Sequence, residues 1–208
     1  MSKSTKSGKV KISGRLADHL IQGFLIFASV FLAFWLNDYR ISVSERQATD
    51  RALAAVVSEV QSNRDILQRW APYHREVSDG VLGWLQERDP VQRGANDGDA
   101  FDPYDFLDDR GVFREILTYD SWDLIRQTDV RLDVDVRLAV NRIFRQQEYV
   151  DGAVEAAVGF LGGRDLLDSA RSHENAVIFY RLMAELYGQQ TAMLRSYEVF
   201  LDDIRERE

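Results

Sequence analysis

Residues 20–36 read LIQGFLIFASVFLAFWL, 17 residues without a charged side chain, with four phenylalanines and a tryptophan among them. No other feature constrains the fold as strongly, because a run like this decides which solvent the chain folds in. At about 1.5 Å per helical residue it spans roughly 26 Å, against about 30 Å for the hydrocarbon core of a bilayer. Leu16 and Ala17 lengthen it on one side, and Tyr39 reaches the headgroup level on the other. Trp35, Tyr39 and Arg40 form a set of interfacial anchors at the exit. Two other readings compete, a buried helix of a soluble protein and a cleaved signal peptide. The run is longer and more uniform than a core helix needs. No A-x-A-like cleavage site follows it, since the next residues are Asn37-Asp38-Tyr39-Arg40-Ile41. The expectation is an uncleaved signal anchor.

Charge gives the expected orientation. Every lysine of the chain precedes the run: Lys3, Lys6, Lys9 and Lys11, joined by Arg15. The far flank carries Arg40, Arg46 and Arg51, interleaved with Asp38, Glu45 and Asp50. Lysine and arginine near the ends of a span set its direction, so this bias favours a cytoplasmic N-terminus. The body then lies outside the cytoplasm, which in a bacterial cell is the periplasm. Residues 1–19 carry a net charge of +4 within a chain of net −8, leaving −12 for the remainder. The basic head, through Lys3, Lys6, Lys9, Lys11 and Arg15, is suited to anionic lipid headgroups. The acidic body argues against nucleic acid as a partner. The chain has no cysteine, which excludes disulfides, Cys-based metal sites and thiol nucleophiles.

The two sides of the span differ. Phe24, Phe27, Phe31 and Phe34 follow a 3-4-3 spacing and share one helical stripe. Gln22, Ser29 and Ala33 lie opposite; Ser29 and Ala33 make a small-xxx-small pair, and Gln22 can hydrogen-bond across to another helix. The expected packing face is therefore Gln22, Ser29 and Ala33, turned toward another membrane protein or a second copy, with the phenylalanines toward lipid.

Beyond the span the pattern is helical. The three prolines are Pro72, Pro90 and Pro103, and Pro72 is expected to break a long stalk helix that begins in the membrane. In that helix Leu53, Val56, Val57, Val60, Leu67 and Trp70 share a face, with Arg64 interrupting the heptad. A second helix is expected from Tyr73 to about Arg88, with Val77, Val81, Trp84 and Leu85 inward. His74 beside Arg75 and Glu76 reads as a surface residue. Residues 89–103, DPVQRGANDGDAFDP, read as a loop. Short helices are expected near 105–109, 112–117 and 121–127, inserting Phe106, Phe113, Ile116, Leu117, Trp122 and Leu124 into the core. A long helix is expected from Val134 to Leu161, capped by Asp133 and ended by Gly162-Gly163. The last helix is expected to start after an N-cap at Ser172, burying Phe179, Leu182, Met183, Leu186, Met193, Leu194, Tyr197, Leu201 and Ile204. VRLDVDV, residues 130–136, alternates like a strand but also suits a loop entering a helix.

Two segments carry a family resemblance. They are Ala33-Phe34-Trp35-Leu36-Asn37-Asp38-Tyr39-Arg40 at the membrane exit and Tyr119-Asp120-Ser121-Trp122-Asp123-Leu124-Ile125-Arg126-Gln127-Thr128 further on. In them the chain resembles a group of uncharacterised bacterial single-pass membrane proteins with an N-terminal anchor and a helical extramembrane domain. Asp129 stands where that group has glycine. The resemblance implies a membrane location, here the bacterial inner membrane, and a helical domain; it implies no activity.

Signals for chemistry are sparse. Asp97, Asp99 and Asp102, with Asp105, Asp108 and Asp109, supply alternating oxygen ligands of the kind calcium uses. The EF-hand pattern fails, because Asp102 replaces the glycine at its sixth position and Asp108 the glutamate at its twelfth. The competing reading is a solvated acidic loop before a helix N-terminus. His173-Glu174 starts like a zinc-protease helix, but residue 177 is valine. No phosphate loop and no Gly-x-Ser-x-Gly elbow occurs. The sequence therefore predicts no cofactor and no enzyme, with a membrane-tethered hydrolase as the remote alternative.

The expected fold is all-α: a basic head over 1–19, an anchor over 20–38, and a stalk with a small helical bundle over 39–208. The expected role is a membrane-anchored accessory protein whose helical domain mediates protein–protein interaction. The alternative is an extracytoplasmic sensor or ligand-binding domain that signals through a partner.

Overall fold

A computed structural model describes residues 12–88, 100–113, 115–128 and 130–207, with side chains from Asp18 onward except those of Asp165, Leu167 and Ser169. Four helices account for most of them: α1 (Ile12–Glu87), α2 (Asp120–Gln127), α3 (Val134–Leu161) and α4 (Ser172–Arg205). Short 3-10 turns lie at Pro103–Asp105, Arg164–Leu167 and Ser169–Arg171. Among the described residues there is no strand, and the alternating stretch near residue 134 runs into α3. Asp133 caps that helix as expected, its carboxylate accepting the Asp135 N–H at 2.9 Å.

The chain divides into two units between Ala48 and Thr49. In the first, every large apolar side chain from Leu20 to Leu36 is between 49% and 69% exposed. Phe27 stacks on Phe31 and Trp35 on Tyr39, at 6.3 and 6.2 Å between ring centroids.

In the second unit α1, α3 and α4 surround one core. On α1 the buried residues Val56, Val60, Asn63, Leu67, Trp70, His74, Val77 and Val81 recur at alternating steps of four and three. On α4 the same rhythm runs through Ala176, Phe179, Met183, Leu186, Gln190, Met193, Tyr197, Phe200 and Ile204. On α3 it runs through Val136, Val140, Ile143, Gln147, Val150 and Ala157. Such a seam keeps one stripe of each helix facing its neighbours. The heptad interruption expected at Arg64 is absent, because Asn63 fills that slot with its side chain fully buried.

Pro72 does not break α1, which continues to Glu87. A proline inside a helix removes one N–H and displaces the carbonyl four residues earlier. Here both Pro72 and Gln68, the owner of that carbonyl, are exposed, so water can satisfy the freed group. The buried Trp70, Ala71, Tyr73, His74 and Val77 hold the helix together on the opposite side. The separate helix expected from Tyr73 is thus the last part of α1.

The connection before α2 also departs from expectation. Among the described residues there, only the 3-10 turn at Pro103–Asp105 is helical, and residues 112, 113 and 115–117 form no helix. Ile116 is 81% exposed and Leu124 57%, so neither enters the core, whereas Leu117 and Trp122 do. Ser172 is not the N-cap of α4 but its first residue; its hydroxyl accepts the Phe101 N–H instead. Phe101 is buried among the rings of Trp84, Phe106 and Phe179. Gly80 lets the Phe106 ring approach α1, since a β-carbon there would lie 3.3 Å from it.

Candidate functional site

The residues expected to form a membrane packing face, Gln22, Ser29 and Ala33, are all exposed. Successive residues of a helix turn by about 100°, so the three share one side of α1 and the four phenylalanines occupy the other. Ser29 donates its hydroxyl hydrogen to the Leu25 carbonyl at 2.7 Å, which leaves its oxygen free to accept from outside. Trp35, Tyr39 and Arg40 are exposed as well. Lys3, Lys6, Lys9, Lys11, Asp97, Asp99 and Asp129 lie outside the described residues, as does the side chain of Arg15. Asp102 accepts the Tyr104 N–H at 2.9 Å and so caps the turn that follows it. Among the described residues no three His, Asp or Glu side chains come together as metal ligands.

The body holds a different arrangement, built from polar residues in the apolar seam. Its first layer joins Asn63 of α1, Gln147 of α3 and Tyr197 of α4. The Asn63 side-chain amide donates to Gln147 Oε1 at 3.1 Å, and the Tyr197 hydroxyl donates to the same oxygen at 2.6 Å. Asn63 also pairs with the backbone of Thr118, donating to its carbonyl at 2.9 Å and accepting its N–H at 3.1 Å. Gln147 adds a second donor to that carbonyl at 3.0 Å. Nearly every polar atom of the layer has a partner, as burial requires. Burial raises the Tyr197 phenol well above its ordinary value, which keeps it a neutral donor.

The second layer is centred on His74, which is fully buried rather than at the surface. Its Nδ1 lies 2.8 Å from Gln190 Oε1, and its Nε2 contacts the Val112 carbonyl. Trp70 stacks on the ring at 5.5 Å, with Tyr73 and Phe113 close by. Burial pushes the imidazole below its ordinary value; the bonds to Gln190 and Val112 oppose this and the Arg110 charge adds to it. The ring is therefore neutral near pH 7.

Both layers also grip the irregular chain between the Pro103–Asp105 turn and α2. The Tyr73 hydroxyl donates to the Gly111 carbonyl at 2.9 Å and accepts the Asp108 N–H at 3.2 Å. Gly111 sits at φ 66, a left-handed conformation that suits glycine. Arg110 lies over the Tyr73 ring at 3.9 Å, and Glu115 accepts from Arg69 at 2.5 Å and from Trp70 Nε1 at 3.1 Å. Glu59 of α1 accepts the first N–H groups of α2, Asp120 at 2.8 Å and Ser121 at 3.0 Å. Its charge complements the helix N-terminus.

A third polar contact lies nearer the surface, where the half-buried Tyr119 hydroxyl donates to the Asp151 carboxylate. Burial raises the Asp151 carboxyl; the Tyr119 bond opposes this, and Glu155 and Glu148 add to it. Two clefts on the body are open to solvent. One of about 500 Å³ is lined by Leu53, Val57, Val136 and Ile204, and one of about 350 Å³ by Ile143, Phe200, Arg142 and Arg195. Sequence reading missed Asn63, His74, Gln147 and Gln190 because it followed apolar side chains alone. Their signal is position, since each occupies a slot in the three-four rhythm of its helix.

Comparison with protein-family models, with curated proteins and with solved structures gave no match.

Proposed function

We propose that this chain is a single-pass accessory protein of the bacterial inner membrane, with its N-terminus cytoplasmic. Its helical bundle domain, on the periplasmic side, mediates contact within a membrane-associated assembly. One observation carries this reading: the charge-free run Leu20–Leu36 keeps all its large apolar side chains about half exposed or more. By length and composition α1 can cross a membrane. Water would oppose so much apolar surface at roughly 25 cal/mol per Å², whereas lipid or a neighbouring helix removes the cost. The layout of anchor followed by helical body matches the bacterial group that the chain resembles, and the Gln22, Ser29 and Ala33 side gives a partner helix a place to approach.

Purification from native membranes in mild detergent, followed by mass spectrometry, tests the proposal. A stoichiometric partner or a defined homo-oligomer is expected, and Ser29→Leu with Ala33→Leu is expected to reduce its yield. A monomer with no associated protein, unaffected by the double substitution, contradicts it.

A further inference from the structure

We propose that His74 is the latch of a pH-sensitive strap: protonation of its ring releases residues 106–113 from α1 while the rest of the helical body stays folded. The proposal rests on the body alone and does not depend on membrane anchoring.

The geometry around the ring leads to it. Residues 106–113 run as irregular chain after the Pro103–Asp105 turn, and their backbone is fastened by two adjacent α1 side chains. Tyr73 holds Asp108 and Gly111, and His74 holds Val112. Phe113 closes the end against Trp70, with ring centroids 5.0 Å apart. A segment tied down by side chains, with few backbone bonds of its own, can open without unfolding its neighbours.

His74 carries an unusual set of partners. Both ring nitrogens face oxygen atoms, Gln190 Oε1 and the Val112 carbonyl. A neutral imidazole has one N–H and can donate to only one of them. The Gln190 amide nitrogen is buried with no partner. Turning that amide over matches both ring nitrogens in the neutral state: Gln190 donates to Nδ1, the Nε2–H donates to Val112, and Oε1 takes the unpartnered position. The amide's orientation is an assignment of this kind, because its nitrogen and oxygen are near-isosteric. In the protonated state the amide must turn back, so that Nδ1–H meets Oε1. The Gln190 nitrogen is then a buried orphan, and the ring carries an uncompensated charge.

Beyond the bonds to Gln190 and Val112, the ring finds no counter-charge among the described residues. The charged group that acts on it is Arg110, from the strap itself, a cation paired with Asp108 at 2.6 Å. On α1 the neighbouring titratable group is the Tyr73 phenol, and α4 presents the neutral Gln190. Among the described residues no carboxylate acts on the ring: Asp108 is paired with Arg110, and Glu115 with Arg69 and the Trp70 Nε1–H. Opening the strap exposes the ring to water and removes Arg110, relieving the burial of the charge and the repulsion together.

The sign follows from linkage. The closed-state imidazole is held below its ordinary value of about 6.5, so the open state binds more protons. Closure is complete above about pH 6.5 and weakens as the pH falls, by at most about tenfold per pH unit.

Hydrogen exchange read by mass spectrometry tests this, using the full chain in lipid nanodiscs at about pH 7.5 and about pH 5.0, corrected for intrinsic exchange. Protection of 106–113 is expected to drop at the lower pH while that of α3 and α4 holds. His74→Gln is expected to remove the pH dependence. Gln190→Glu, which sets a carboxylate against Nδ1, is expected to keep the strap closed at the lower pH. Equal wild-type protection at both values overturns the proposal, as does His74→Gln retaining the wild-type response. Should His74→Gln fail to fold, Gln190→Glu decides: an unshifted response overturns the latch.

Discussion

The segment from Leu20 to Leu36 and the body that starts at Thr49 place their side chains in opposite ways. In the first, phenylalanine, leucine and isoleucine are exposed and the backbone bonds stay within the helix. In the second, Asn63, His74, Gln147 and Gln190 are sealed inside an apolar seam. The contrast teaches that hydropathy alone sorts these residues wrongly. Apolar groups can stay outside where lipid or another helix replaces water, and polar groups can go inside where other polar groups meet them. Each of these four stands opposite a polar partner on another helix, Asn63 and Tyr197 with Gln147, and His74 with Gln190. A register shift of one step would leave them facing apolar side chains, so these layers help choose the alignment of α1, α3 and α4.

The comparison can be broken from either side. The largest effect is expected in the apolar segment. Ala28→Arg with Ser29→Arg puts two charges near its middle, at about 2.5–3.5 kcal/mol each for insertion. The protein should leave the membrane pellet on alkaline extraction; a variant that stays in the pellet shows that this run is not the anchor. A smaller effect is expected in the body. Gln147→Leu removes the shared acceptor, stranding the Tyr197 hydroxyl and one amide hydrogen of Asn63, whose bonds to Thr118 remain, at roughly 1–3 kcal/mol for a buried unpaired group. Thermal unfolding in detergent should show the loss, and alkaline extraction should show unchanged membrane residence. Unchanged unfolding would mean that the layer does not support the core.

Much of the helical frame was legible in the sequence, for local reasons. The bounds of α3 follow from Asp133 and the Gly162-Gly163 pair, and α4 carries a long stripe from Phe179 to Ile204. Where the reading failed, the deciding partner was distant in sequence. Residues 112–117 look helical alone, yet the chain around them is bonded to Asn63, Tyr73 and His74, 38 to 55 positions earlier. His74 looks like a surface residue between Pro72 and Arg75 until its slot in the seam is counted. Pro72 looks like a helix end because propensity speaks before packing; its exposed position lets α1 continue. Gln22, Ser29 and Ala33 share one exposed side of α1, as their spacing requires.

We propose that residues 20–36 hold the protein in a membrane with the acidic body on the far side from the lysine-rich start. Protease accessibility of a C-terminal tag, in intact cells and in cells whose outer barrier has been opened, tests it most directly. The tag should be protected in intact cells and cleaved once the outer barrier is opened, with the inner membrane still sealed. A tag that stays protected until the inner membrane is dissolved would contradict it.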